Sequence, residues 1–192
     1  MLAAIIVIFS IIADQVSKYI VVQNIELRGS VPFINGFMNF YHTRNEGGGW
    51  SILDGGGWER LVLLSISLIA MGLIVYILVK FYKRHTLLNV ALAMVLGGAT
   101  GNMIDRIRLG YVVDFFHTEY IKFPTFNIAD CFITVGAVLL CVYVIFFDAK
   151  VEKRIKAEQA VACEEAKSDE IKEEEEVKEE IKEEPKGNDG NE

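Results

Sequence analysis

Cysteine and histidine are scarce in this sequence, with three of each among 192 residues. The cysteines lack the spacing of a metal site and offer no disulfide framework, and the histidines lie far apart, at His42, His85 and His117. The chain also lacks a glycine-rich nucleotide fingerprint after a strand, a P-loop and an H-E-x-x-H zinc motif. These absences argue against a metalloenzyme and a nucleotide-binding enzyme, so we expect no metal and no cofactor.

Charge is unevenly distributed along the chain. The formal net charge is −7, but residues 1–148 contain ten acidic and ten basic residues and are therefore neutral. Residues 149–192 contain sixteen acidic and nine basic residues. A segment with so much charge and so few apolar residues is typical of disorder or of a lone solvated helix. We therefore expect a folded part at 1–148 and an acidic, disordered cytoplasmic tail at 149–192.

Long apolar runs, by contrast, are abundant. A helix needs roughly 20 residues to cross the hydrocarbon core of a bilayer. Four runs approach this length, and together they contain three charged residues: 1–22, 61–79, 87–104 and 128–147. Too few residues remain to cover four such helices in a water-soluble fold. The sequence therefore predicts an all-α membrane protein with four transmembrane helices.

The first apolar run could instead be a cleaved signal peptide. It has no basic segment before the apolar residues and no small-x-small cleavage site, and it continues directly into ADQVSK. We therefore expect the first run to be a membrane span of the mature protein.

Basic residues predict the orientation of the spans, because lysine and arginine collect in short cytoplasmic segments. They cluster between the second and third runs and again after the fourth, at Lys80, Lys83, Arg84, Lys150, Lys153, Arg154 and Lys156. Three arginines in the first outward segment weaken the bias without reversing it. Both termini are thus expected in the cytoplasm, and residues 23–60 and 105–127 are expected outside.

The segment at 23–58 differs in character from the runs around it. Apolar and polar residues alternate in VPFINGFMNFYHT, and glycine and proline interrupt the pattern. Such alternation is typical of short strands and turns. We expect a small extracytoplasmic β-rich unit between the first and second helices.

Polar residues occur at the edges of the apolar runs, where they are costly and commonly functional. Asp14 and Lys18 stand four residues apart, so they share a helix face and are expected to form a buried ion pair that supports packing. A direct chemical role is the alternative. Asn45 precedes three glycines, which permit close approach of a ligand, although a plain turn explains the same pattern.

The third run ends in GNMIDRIRLG. Asn102 and Arg106 share a helix face there, and Asp105 could pair with Arg106 or Arg108. An arginine at the lipid boundary suits a phosphate or a backbone carbonyl, because its fork holds several oxygens. Ion pairing alone is the alternative for this cluster.

Two lone acids, Asp114 and Asp130, stand in apolar surroundings. The expected topology brings both to the outer face, and the short connection FHTEYIKFPTF lies between them. Two carboxyl groups in one site of low dielectric cannot both ionise easily, so the pair shares a proton. Aspartic proteases activate water in this way. Taken separately, each acid could be a structural cap or a proton-relay group, and Asp130 could cap the fourth helix.

The four strings DQVSK, NEGGGWS, GGATGNMIDRIRLGYVVDF and FPTFNIAD together resemble the lipoprotein signal peptidase family, signal peptidase II. The resemblance covers residues 1–148. It implies an aspartic endopeptidase of the bacterial cell membrane, which cuts signal peptides from diacylglyceryl-modified prolipoproteins before the lipid-bearing cysteine. The family usually has NxGAAF where this chain has NEGGGWS, which puts the rigidity of that loop in question.

The resemblance also implies roles for individual residues. Asp114 and Asp130 match the catalytic pair, and Asp14 and Lys18 match a supporting motif of the first span. The residues that match the substrate site are Asn45, Asn102, Arg106 and Asn127. The expected partners are the prolipoprotein and membrane lipid, with no nucleic acid, and the expected state is a monomer.

Two other functions compete with a peptidase. A small transporter or a proton-coupled channel would spread its polar groups through the depth of the bilayer, whereas here they concentrate at one face. A membrane assembly factor would use polar groups to join helices, and would not need two converging acids.

Overall fold

The computed structural model describes residues 1–47, 58–157 and 159. It contains four helices long and apolar enough to cross a membrane, together with one small antiparallel sheet. The predicted fold class is therefore confirmed. In chain order the elements are α1 (Leu2–Asn24), β1 (Ser30–Ile34), β2 (Met38–Asn45), α2 (Trp58–Lys80), α3 (Thr86–Arg108), β3 (Val112–Thr118) and α4 (Ile128–Phe146).

The apolar surface of the helices points outward. Large aliphatic side chains on α2, such as Ile69 and Val79, are 72% and 76% exposed. An apolar surface of this extent suits hydrocarbon rather than water. By contrast, half of the residues in the most apolar stretch of α3 are buried. The third helix is therefore the central one, and its neighbours surround it.

Close packing of α3 depends on glycine. A side chain at Gly101 would collide with the carboxylate of Asp14 on α1, and one at Gly98 would collide with the backbone oxygen of Ala129 on α4. Small residues at helix interfaces in membranes let backbones approach closely. These two glycines allow α1 and α4 to bring polar groups against the same stretch of α3.

The sheet has the strand order β1-β2-β3, and both pairings are antiparallel. In the second pairing, Phe40 lies opposite Phe116 and Thr43 lies opposite Asp114. Three residues of β2 thus correspond to two of β3, so β2 contains one extra residue, a β-bulge. Because β1 and β2 follow α1 while β3 follows α3, the sheet joins two connections that lie at the same end of the helices.

The third strand was not predicted from the sequence. Its residues VVDFFHT do not alternate between apolar and polar side chains as a half-exposed strand would. The first four are all buried. Aromatic rings of Phe40, Phe115 and Phe116 pack beside Val21 and Ile25 at the end of α1. This cluster attaches the sheet to the helices.

The chain divides into two compact units, Met1–Ile145 and Phe146–Glu192. In the second unit residues 148–157 are helical. Most of the predicted acidic tail, and the part of NEGGGWS from Gly48 onward, lie outside the described residues.

Candidate active site

The bulge in β2 decides which side chain faces Asp114. A regular ladder continued from the preceding pair would place Arg44 on the face of Asp114, because side chains alternate along a strand. The extra residue puts Asn45 there instead, and its Nδ2 donates to Oδ2 of Asp114 at 2.9 Å. An arginine would hold the carboxyl group in its charged form, whereas the amide orients the group without adding a charge.

Asp130 lies in the first turn of α4, and its neighbour Asn127 caps that helix. Oδ1 of Asn127 accepts from the backbone N–H of Asp130 at 3.0 Å, and Oδ2 of Asp130 accepts from the backbone N–H of Asn127 at 3.2 Å. This reciprocal pair has the geometry of a capping box. Asp130 thus takes part in capping the fourth helix, as considered from the sequence. The cap uses Oδ1 of Asn127, so its Nδ2 can donate to other acceptors.

Asn127 is fully buried and connects the two acids. Its Nδ2 donates to Oδ1 of Asp114 at 2.6 Å and to Oδ1 of Asn102 at 3.1 Å. Nδ2 of Asn102 in turn donates to Oδ1 of Asp130 at 2.8 Å. A chain of hydrogen bonds therefore runs from one carboxyl group to the other through two amides, and the two acids converge on one site.

The segment before α4 is held against β3 by backbone hydrogen bonds. The N–H groups of Phe115 and Phe116 donate to the oxygen of Phe126 at 3.0 and 2.8 Å, and the N–H of Phe126 donates back to Phe116. This short antiparallel bridge places Asn127, the next residue, beside Asp114. The connection between β3 and α4 thereby brings the two acids together.

Burial is the main cause that raises the pKa of Asp114, which is only 2% exposed. The negative charge of Asp130 adds to the rise, while hydrogen bonds from Asn45 and Asn127 and the charge of Lys18 oppose it. The pKa of Asp114 is raised from 3.8 to about 6. Asp114 can therefore hold a proton under conditions in which an ordinary aspartate is ionised.

A second buried cluster adjoins the two acids. Lys18 forms ion pairs with Asp14 at 2.8 Å and with Asp105 at 2.9 Å, and its ammonium donates to Oδ1 of Asn102 at 2.9 Å. Nε2 of Gln15 donates to a carboxylate oxygen of each aspartate, at 3.2 and 2.9 Å. The predicted pair of Asp14 and Lys18 is present, but it belongs to a cluster with a third charge.

Two contacts of this cluster were not predicted from the sequence. Asp105 was expected to pair with Arg106 or Arg108, and the structure adds a buried ion pair with Lys18 on another helix. Gln15, which donates to both aspartates, was not predicted as a member of the site. A signal was available, because Gly98, Gly101 and Asp105 repeat at helical spacing on one face of α3. Arg106 lies one turn beyond Asn102 and is partly exposed, and its substrate contact stays a prediction.

An apolar cavity of about 450 Å³ lies between the end of α1 and the sheet. Its lining includes Ile20, Val31 and Phe40, together with Phe115 and Ile128, which directly follow Asp114 and Asn127 in the chain. Among the described residues, no group of three or more histidine, cysteine or acidic residues could hold a metal ion.

Comparisons with known proteins agree on one family. A family profile described as Signal peptidase (SPase) II matches residues 6–146. The chain is 44% identical over 143 residues to the lipoprotein signal peptidase of Enterococcus faecalis, which covers 74% of this chain and 86% of that protein. It is 45% identical over 145 residues to the lipoprotein signal peptidase of Listeria monocytogenes, with 74% and 92% covered.

A solved structure has a similar fold. It is described as that of a bacterial membrane enzyme, and it superposes with a TM-score of 0.70 at 34% sequence identity. The match covers 76% of this chain and 93% of that one.

Proposed function

The chain belongs to the signal peptidase II family, and from that premise we propose that it is an aspartic endopeptidase for lipid-modified prolipoproteins. The family and the four apolar helices make it a peptidase and a multi-pass bacterial membrane protein. Its proposed substrate carries a diacylglyceryl group on a cysteine, and the cut falls just before that cysteine. The enzyme is proposed to act as a monomer, without a metal or cofactor and without a nucleic-acid partner.

The hydrogen-bond chain from Asp114 through Asn127 and Asn102 to Asp130 carries this proposal. A water held between the two carboxyl groups loses a proton to one of them and attacks the scissile carbonyl carbon. The other acid donates its proton to the developing oxyanion. Collapse of the resulting gem-diol breaks the C–N bond, and a proton passes to the leaving amine.

Asp114 is the better candidate for the acid that is protonated at rest. Burial and the charge of Asp130 raise its pKa to about 6. With the proton on Asp114, the proton from water passes to Asp130, and Asp114 donates to the oxyanion. Both oxygens of Asp130 are held in place by hydrogen bonds, from Asn102 and from the backbone of Asn127.

The amide residues first orient the two acids. Asn45 and Asn127 direct both oxygens of Asp114, and Asn102 directs Asp130. We propose that Asn45 and Asn102 also contact the peptide backbone of the substrate, whereas Asn127, which is fully buried, contributes to the substrate site by orienting Asp114. Arg106, which is one turn from Asn102, is proposed to hold oxygens of the lipid-bearing end, as suits its fork of donors.

The apolar lining of the cavity favours a substrate that carries a lipid or another apolar segment. The cavity lies beside Phe115 and Ile128, next to the residues that carry the acids. A purely polar peptide would gain little from such a lining, whereas each buried CH₂ group contributes about 0.8 kcal/mol. We propose that it receives an apolar part of the precursor.

The active site is proposed to face outward, with both termini in the cytoplasm. The sheet joins the connection between α1 and α2 to that between α3 and α4. This pairing supports the placement of both connections on the same side of the membrane. The basic residues Lys80, Lys83 and Arg84 lie in the opposite connection, and positive residues favour the cytoplasm.

Purified enzyme in detergent, incubated with diacylglyceryl-modified prolipoprotein in EDTA, tests the proposal. The expected product is a released signal peptide, and mass spectrometry should place the new amino terminus at the modified cysteine. The same precursor without the lipid is the matched control and should be cut far more slowly. Loss of cleavage in EDTA, or equal cleavage of both precursors, would contradict the assignment.

A further inference from the structure

Two aspartates outside the catalytic pair each hold the residue that directly precedes a catalytic aspartate. Oδ2 of Asp105 accepts from the backbone N–H of Val113 at 3.2 Å, and Val113 precedes Asp114. Oδ1 of Asp14 accepts from the backbone N–H of Ala129 at 3.0 Å, and Ala129 precedes Asp130. The first contact ties β3 to α3, and the second ties the start of α4 to α1.

Lys18 connects these two contacts. Its three ammonium hydrogens match three acceptors, namely Oδ2 of Asp14, Oδ2 of Asp105 and Oδ1 of Asn102, all within 2.9 Å. The side chains of all three charged residues are almost fully buried. Lys18 therefore contacts both aspartates that hold these backbone N–H groups. It also contacts Asn102, whose side-chain amide donates to Asp130.

We propose that Asp14, Lys18 and Asp105 form a positioning clamp that sets the separation of the two catalytic carboxyl groups. The inference rests on the proposed function, because it concerns the distance across which Asp114 and Asp130 share a water. The clamp acts through the backbone of the preceding residues and not on the substrate. Its members are positioning residues.

The charge of the cluster argues against a purely stabilising role. The cluster contains two buried carboxyl groups for one ammonium group, so Asp105 is one acidic side chain more than an ion pair with Lys18 needs. Asp14 alone would neutralise Lys18. The second carboxylate, Asp105, is accounted for by the hydrogen bond that it makes to Val113.

Two substitutions of Asp105 separate its hydrogen bond from its charge. Asp105→Asn keeps an oxygen that can accept from Val113 and Lys18, whereas Asp105→Ala keeps none. A displacement of about 1 Å at a catalytic group can lower the rate about 10²-fold. In Asp105→Ala we expect kcat to fall about 10²-fold while KM stays within about threefold of the parental value. In Asp105→Asn we expect kcat to fall by less than about tenfold.

The pH profile of kcat/KM gives the readout that a structural role would not move. Two carboxyl groups that move apart repel each other less, so the two apparent pKa values of the pair approach each other. Asp105→Ala should therefore narrow the bell-shaped profile, while Asp105→Asn should shift it without narrowing. Asp105→Glu keeps the ion pair but lengthens the side chain, so it should also narrow the pH profile. This variant replaces Asp105→Ala in the test if the alanine variant does not fold.

Ser10→Val is the matched destabilising control. Ser10 is buried where α1 meets Gly97, and its hydroxyl donates within its own helix to Ile6. Extra volume there should lower the unfolding temperature and leave the width of the profile unchanged. An Asp105→Ala variant that behaves like Ser10→Val, or an Asp105→Asn variant as slow as Asp105→Ala, would overturn the clamp. Parental activity in Asp114→Asn would instead overturn the proposed function itself.

Discussion

Replacing Asp114 with asparagine should remove a specific part of the dependence of stability on pH. Asp114 is 2% exposed, and burial, together with the charge of Asp130, raises its pKa from 3.8 to about 6. Because one pKa unit corresponds to about 1.4 kcal/mol, this rise corresponds to about 3 kcal/mol between the two protonation states.

The sign of the effect follows from proton binding. The folded protein binds this proton more tightly than the unfolded chain does. The stability that the proton confers is therefore fully present below a pH of about 4, and it is lost as the pH rises through about 6. The Asp114→Asn variant has no proton to release at this position, so its stability should lack this decline.

Equilibrium unfolding in detergent micelles between pH 3 and pH 7 measures the difference. The free energy of unfolding of the parent should fall by up to about 3 kcal/mol relative to that of Asp114→Asn. Changed hydrogen bonds with Asn45 and Asn127 add an offset that does not vary with pH. Ser10→Val, which removes no titratable group, should give a curve parallel to the parent's. Parallel curves for the parent and Asp114→Asn would refute the reasoning.

Three further predictions concern the supporting structure. Asn127→Ala should cost about 0.5–2 kcal/mol in thermal unfolding through the lost helix cap, and it should also slow peptide release because the bridge between the acids is broken. Gly101→Ala should strongly lower the unfolding temperature, since a side chain there meets a buried carboxylate, whereas Gly72→Ala has open space and should be tolerated. Ile20→Trp should fill part of the apolar cavity and raise KM for lipid-modified precursor with kcat unchanged, while Tyr19→Trp, on a residue outside the cavity lining, should not. Equal behaviour within either matched pair would count against the packing or the cavity assignment.

Local patterns in the sequence were sufficient for the helices. The length of an apolar run and its freedom from charge depend on neighbouring residues, and all four predicted runs coincide with helices. The third helix extends one turn beyond the predicted run, through Asp105 to Arg108, because a helix can continue where its residues become polar. The i, i+4 spacing likewise identified the pair of Asp14 and Lys18.

Contacts between distant segments could not be predicted in the same way. The strand β3 exists because β2 and Phe126 supply its hydrogen-bond partners, and nothing within VVDFFHT indicates them. Asp105 is similar, since its partner Lys18 lies on another helix. The bulge that turns Asn45 toward Asp114 also depends on the pairing of two strands, and a single strand does not encode it.

The rate of signal-peptide release by Asp114→Asn and Asp130→Asn tests the central claim most directly. Both variants should insert into the membrane like the parent, and each should cleave diacylglyceryl-modified prolipoprotein at least about 10²-fold more slowly, the contribution typical of a positioned acid or base. A parental rate in either variant, with the protein folded and inserted, would show that the two aspartates do not share the activation of water.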